Sequence, residues 1–167
     1  VWRDDVVARG PRPEIKDSYF YVDGVPKYLI GCQNWWGTNG SISQRRPADF
    51  EYDMQMMQDL GMKITRSFLG CRDEAEKRTS DAWVYLAQKH DIVIFHTPNL
   101  MATADPEVLA RQEALAREIA ERYRNVPGFI MDTCNETGVT SDDSPGQRAQ
   151  FNEYLKGLYG TDNALRE

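Results

Sequence analysis

Short apolar runs, each followed by a stretch of helical periodicity, recur along this chain at a nearly even pitch. The runs end near Asn34, Phe68, His96 and Glu136, giving intervals of 34, 28 and 40 residues. The first passes through Gly31 and Cys32 toward Gln33-Asn34-Trp35-Trp36. The second is Lys63-Ile64-Thr65-Arg66-Ser67-Phe68, and the third is Asp91-Ile92-Val93-Ile94-Phe95-His96, apolar enough to be buried on both faces. The fourth runs from Gly128 to Cys134.

Between them, Phe50, Met54, Met57 and Leu60 recur at helical spacing, with Gly61 as a stop. A helix over about Ser80 to His90 would carry Trp83, Leu86 and Ala87 on one side. Asp105 and Pro106 open a longer one faced by Leu109, Leu115, Ile119 and Tyr123, and its Glu118–Arg122 spacing predicts an i,i+4 ion pair. A last helix, roughly Gln147 to Leu158, carries Phe151, Tyr154, Leu155 and Leu158.

The order β-α-β-α-β-α-β-α predicts parallel strands covered by helices. A complete eightfold barrel of about 250 residues spends about 31 on each unit. The pitch therefore predicts an α/β fold, a (β/α)8 TIM-type barrel of which this chain supplies about the first four βα units. A four-stranded doubly wound sheet has the same element order, but no Gly-rich phosphate loop follows any strand.

Residues 1–18 are charged and contain two prolines, as a linker or the end of a preceding segment would, leaving 19–167 for the half barrel. At its start, Tyr19–Val22 and Val25–Ile30 read as strands around an Asp23-Gly24 turn. Hydrophobic residues at 41% and charged residues at 28% describe a globular chain. With 20 basic against 26 acidic residues and no basic run, nucleic acid is not expected as a partner. No apolar stretch approaches the roughly 20 residues of a membrane span.

Cys32, Cys71 and Cys134 are too few and too dispersed for a disulfide scaffold, and no Cys-x-x-Cys occurs. Buried free thiols are the default expectation; a dispersed zinc set of these three with His96 is the lesser alternative. No metal or organic cofactor is expected. The chain begins with Val and shows no leader, so its compartment stays open. Asn39-Gly40-Ser41 is a glycosylation sequon, relevant only to a chain secreted by a eukaryote.

The fourth run, Pro127-Gly128-Phe129-Ile130-Met131-Asp132-Thr133-Cys134, leads straight into Asn135-Glu136. A carboxylate at the tip of a buried strand is rigidly held beside low-dielectric packing. Burial raises its pKa and keeps a proton available near neutrality, as a general acid requires. Taken alone, the pair reads more readily as a solvated loop carboxylate and its neighbour, and it is the rest of the chain that favours the catalytic reading.

These motifs together resemble the clan of retaining β-glycosidases built on (β/α)8 barrels, which includes β-galactosidases, β-mannosidases and endo-acting cellulases and mannanases. The resemblance covers about residues 19–167 and rests on several parts. They are the Val22-Asp23-Gly24-Val25-Pro26 hairpin, Gly31-Cys32-Gln33-Asn34-Trp35, Leu60-Gly61-Met62-Lys63 with Arg66, Asn125-Val126-Pro127, and Asn135-Glu136. The tail from Phe151 to Leu165 looks like the helix and turn after strand four in bacterial β-galactosidases.

The resemblance implies Glu136 as general acid/base, Asn135 as the partner of the sugar 2-hydroxyl, and Arg66 as the arginine that holds the nucleophile ionised. It places Asn34, Trp35 and His96 where sugar-contacting residues lie. Carbohydrate is the implied substrate, with no cofactor. The family's nucleophile is a second glutamate at the end of strand seven, and no convincing counterpart occurs in these 167 residues. The rest of the barrel, from the same or another chain, or an oligomer, would have to supply it.

Each residue also has a plainer reading. Arg66 on an apolar strand is costly unless paired. Adjacent strand residues face opposite ways, so at most one of Trp35 and Trp36 stacks on a sugar. His96 serves equally well as a satisfied structural histidine. Asp132 fits a structural or supporting role, and Met54, Met56 and Met57 are ordinary helix packing. A catalytically inactive carbohydrate-binding or assembly protein on the same barrel is the alternative function.

Overall fold

The computed structural model describes residues 2–33, 47–68, 70–98, 100, 103–132 and 145–166. Helix α1 (Asp4–Val7) precedes strands β1 (Pro13–Lys16), β2 (Tyr19–Val22) and β3 (Val25–Pro26). Then follow β4 (Gly31–Gln33), α2 (Pro47–Asp59), β5 (Ile64–Ser67), α3 (Glu74–Lys89), β6 (Val93–His96), α4 (Pro106–Tyr123), β7 (Phe129–Met131), α5 (Pro145–Tyr159) and α6 (Asp162–Arg166).

Strands β1, β2 and β3 form an antiparallel sheet. Its second turn is the expected Asp23-Gly24, with both residues at positive φ (52° and 76°), as a type I′ hairpin demands. Its first turn, Asp17-Ser18, adopts the same conformation without glycine (50° and 66°). Strand β1 and the buried Val7 both fall within the stretch expected as a linker. The run expected to extend from Val25 to Ile30 stops at Pro26, and residues 27–30 cross to the next sheet. There the Lys63 amide donates to the Ile30 carbonyl at 2.7 Å.

That second sheet is parallel throughout, in the order β4-β5-β6-β7. Each crossover advances one strand in the same direction. Right-handed connections then lay α2, α3 and α4 on one face. A doubly wound sheet reverses direction at its switch point, and this order does not. Progression without reversal is how a barrel closes.

The register fixes which side chains share a face. Cys32, Thr65, Ile94 and Phe129 are level, as are Ser67, His96 and Met131 one pleat further on. Cys32, Ile94, Phe129 and Met131 pack on the cluster that holds Trp83, Ile119 and Tyr123, so this is the helix-facing side. Gln33, Arg66, Phe95 and Ile130 therefore point to the concave face, which becomes a barrel's lumen.

Trp83 is fully buried and meets the Phe50 ring edge-on at 5.4 Å, with Met54, Met57 and Val84 around it. Truncating an aromatic of this kind to alanine costs about 3–5 kcal/mol. The expected faces of α2 and α4 lose one member each: Leu60 is 65% exposed and Leu109 46%.

Helix α3 begins at Glu74, ahead of the expected Ser80, because Asp73 caps it by accepting from the Glu76 amide at 2.8 Å. Asp105 caps α4 as expected, with Pro106 in the first turn. Helix α2 ends in a Schellman turn: Met62 N–H donates to Met57 O and Gly61 N–H to Gln58 O, with Gly61 at φ 73°. Helix α3 ends the same way, with Asp91 at φ 59° in glycine's place.

The expected Glu118–Arg122 pair does not form. Arg122 makes a bidentate bond to Asp81 on α3 (2.8 and 2.7 Å), and Glu118 pairs with Lys77 at 3.0 Å. Both interactions join α3 to α4, which a single-helix spacing rule cannot anticipate. Helix α5 buries none of its residues, and Phe151, Tyr154 and Leu158 stay exposed.

Candidate active site

The C-terminal ends of three neighbouring strands converge on one group of side chains. Arg66 lies near the end of β5, while Thr97 and Asp132 come one residue after β6 and β7. All three have the parity of the concave face. Main-chain bonds continue the ladder beyond the strands: Thr97 N–H donates to Ser67 O at 2.9 Å, and Asp132 N–H to His96 O at 2.7 Å.

Arg66 Nε donates to Thr97 Oγ1 at 2.9 Å, and that hydroxyl donates to Asp132 Oδ2 at 3.3 Å. Arg66 Nη2 lies 3.5 Å from the same carboxylate oxygen, and its guanidinium sits 5.2 Å over the Phe68 ring. Thr97 is fully buried, whereas the Arg66 and Asp132 side chains are 29% and 26% exposed. A charged group on an apolar strand is thus paired and kept at the rim of the sheet, where it reaches solvent or a ligand.

His96 occupies the other face. It is fully buried against Phe129 (5.4 Å between rings), with Nδ1 3.3 Å from Ser67 Oγ. Burial pushes its pKa down to about 4, opposed by a weaker upward pull from a hydrogen bond to the Ser67 backbone. The imidazole is accordingly neutral near pH 7. The structure brings it to the helix side of β6, away from Arg66, Thr97 and Asp132.

Asn34, Trp35, Asn135 and Glu136 lie outside the described residues, as does Cys134. Asp132 is four residues ahead of Glu136 in sequence. Cys71 is buried and Cys32 half-buried, both as free thiols. Burial raises both pKa values, that of Cys71 to about 11, so neither is an activated nucleophile at neutral pH. Among the described residues, no group of three or more His, Cys, Asp or Glu could hold a metal ion, and no helix is long and apolar enough to cross a membrane.

Thr97 was not marked by the sequence, and Asp132 only as a supporting residue. Their relation to Arg66 depends on strand register, which places residues 31 and 35 positions apart side by side. The available signal was parity: each polar residue falls in step with the concave-face positions of its own strand.

Several solved structures share this fold. The Parabacteroides merdae β-glucuronidase matches with a TM-score of 0.64 and 19% identity, over 93% of this chain and 19% of that one. The Rhizomucor miehei endo-1,4-β-mannanase matches at 0.62 and 14%, over 89% of this chain and 58% of that one. A Bacteroides vulgatus family 5 glycoside hydrolase matches at 0.53 and 13%, over 72% and 32%.

The fold is that of part of a (β/α)8 barrel.

The chain is similar in structure to TIM-barrel glycoside hydrolases and spans about a fifth of the β-glucuronidase's length. No protein-family model matches the sequence, and no curated protein does. In barrels of this kind, chemistry is performed at the C-terminal face of the strands, where the Arg66, Thr97 and Asp132 group lies.

Proposed function

We propose that this chain carries the acid/base part of a glycoside hydrolase site acting on β-glycosidic bonds with retention of configuration. The observation that carries the reading is Arg66. It is a paired yet accessible cation at the C-terminal rim of a parallel barrel sheet, the strand end where the resemblance places an arginine beside the reacting carboxylates. The names of the structural neighbours support the same class: glucuronidase, mannanase and family 5 glycoside hydrolase.

In this reading Glu136 donates its proton to the glycosidic oxygen as the bond to the leaving group breaks. A second carboxylate, about 5–5.5 Å away, attacks the anomeric carbon from the opposite face and forms a glycosyl-enzyme intermediate. Glu136, now ionised, removes a proton from water, which displaces that carboxylate and restores both groups. Asn135 binds the 2-hydroxyl, while Asn34 and Trp35 contact the sugar. Arg66 stabilises the ionised nucleophile, which residues other than these 167 supply. Hydrolysis by the chain alone is not part of the proposal.

The galactoside preference suggested by the tail from Phe151 to Leu165 rests on that resemblance alone. An aryl β-glycoside panel of galactoside, glucuronide, mannoside and glucoside reads the sugar directly. The test of the reading is Glu136→Gln in a polypeptide that carries the complete barrel. Lost turnover with retained sugar binding supports it. Turnover at the original rate removes Glu136 from the mechanism. Sugar binding without turnover in the unsubstituted protein points instead to a carbohydrate-binding role.

A further inference from the structure

The hydrogen bonds around Arg66 have only one consistent direction. A guanidinium Nε–H can only donate, so Thr97 Oγ1 accepts at 2.9 Å. The Asp132 carboxylate, when ionised, can only accept, so the Thr97 proton points to it across 3.3 Å. The hydroxyl is therefore used as acceptor and donor at once, from a fully buried residue whose own amide is tied to Ser67. With Nε bound to Thr97, Nη2 ion-paired with Asp132 at 3.5 Å and the Phe68 ring beneath the plane, Nη1 is the guanidinium nitrogen with neither a hydrogen bond nor an ion pair among the described residues.

We infer that Thr97 is a positioning residue: its hydroxyl fixes the rotation of the Arg66 guanidinium so that Nη1 is presented to a carboxylate on the concave face. The inference rests on the proposed function for the identity of that carboxylate, and on the geometry alone for the positioning. Asp132 completes the device by orienting the Thr97 hydroxyl. An arginine held by Asp132 alone would keep its charge but could swivel about a single 3.5 Å contact. Hydrogen bonds to a charged group are among the stronger ones, and losing one commonly changes an equilibrium by about tenfold or more.

The test reads Arg66 directly in the 15N-arginine-labelled chain, with its Nε–H signal assigned by disappearance in Arg66→Lys. In the unsubstituted chain this proton is expected to exchange slowly with water. It should also shift on titration with sodium acetate, against sodium chloride at equal ionic strength. Thr97→Val, which keeps the shape and removes the hydroxyl, should speed exchange and weaken acetate binding, each by about tenfold. Thr97→Ser should restore both. Where Thr97→Val does not fold, Thr97→Ala against Thr97→Ser gives the same comparison.

Unchanged exchange and affinity without the hydroxyl would overturn the inference, as would a serine variant that behaves like valine. So would an Arg66 signal that acetate does not move in the unsubstituted chain. None of these readouts involves turnover or Glu136. Failure here leaves the glycosidase reading standing, and failure of Glu136→Gln to impair turnover leaves these readouts unaffected.

Discussion

Protonating His96 should destabilise the fold well above the pH at which carboxylates titrate. Its imidazole is wholly buried between β6 and the helices, and its Nε2 has no hydrogen-bond partner among the described residues. Burial lowers its pKa from 6.5 to about 4 in the folded chain. A lowered folded pKa means that the unfolded chain takes up the proton first. The contribution to stability is then complete above pH 6.5, falls as pH drops through the interval down to 4, and is fully lost below it.

A separation of about 2.5 pH units corresponds to about 3.4 kcal/mol, of which about 2 kcal/mol is lost between pH 7.5 and pH 5. That is a large share of the roughly 5–15 kcal/mol that stabilises an ordinary domain. The assay is urea unfolding at pH 7.5, 6.5, 5.5 and 5, at one protein concentration, for the unsubstituted chain and His96→Gln. Subtracting the two pH profiles removes other titrations and any association. A difference growing by about 2 kcal/mol toward pH 5 is expected. Parallel profiles would refute the burial-driven shift.

Four further substitutions test the packing. Gly31→Ala places a methyl 1.7 Å from the Ile64 carbonyl oxygen, a backbone atom that cannot move without breaking the β4–β5 ladder. It should cost about 3 kcal/mol or prevent folding, read by thermal denaturation. Gly61→Ala forces alanine into the left-handed conformation and should cost about 1 kcal/mol, while Asp91→Gly, which relieves the same conformation, should be nearly neutral after losing its exposed bond to Lys63. Asp81→Ala leaves the Arg122 guanidinium and the Tyr123 hydroxyl without their acceptor between α3 and α4, and should cost about 2–3 kcal/mol in urea unfolding.

The barrel pitch was legible because strand parity and helix periodicity are local properties, visible in runs such as Asp91–His96 and Phe50–Met57. The relation between elements was not. Arg122 has a plausible partner one turn away in Glu118, and only the packing of α3 on α4 shows that Asp81 outcompetes it. The start of α3 was missed because Asp73 lies outside the apolar periodicity and declares itself only as a cap. Parity placed Arg66 on a strand, but its face became known from the register with Ile94 and Phe129, which pack on the helices. The same register sets His96 apart from Arg66, although both occupy comparable places in the sequence pattern. Glu136 and Asn135 are proposed on chemistry and resemblance, with Arg66 as their nearest structural support.

The most direct measurement of that proposal is azide rescue of Glu136→Ala in a polypeptide carrying the whole barrel, with an aryl β-glycoside whose leaving group departs without protonation. Removal of the acid/base should leave glycosyl transfer to the enzyme largely intact and slow its release. Added azide should then accelerate turnover and yield the β-glycosyl azide, because a small anion can attack without a general base. Turnover that matches the unsubstituted protein, with no azide effect and no glycosyl azide formed, would contradict the account.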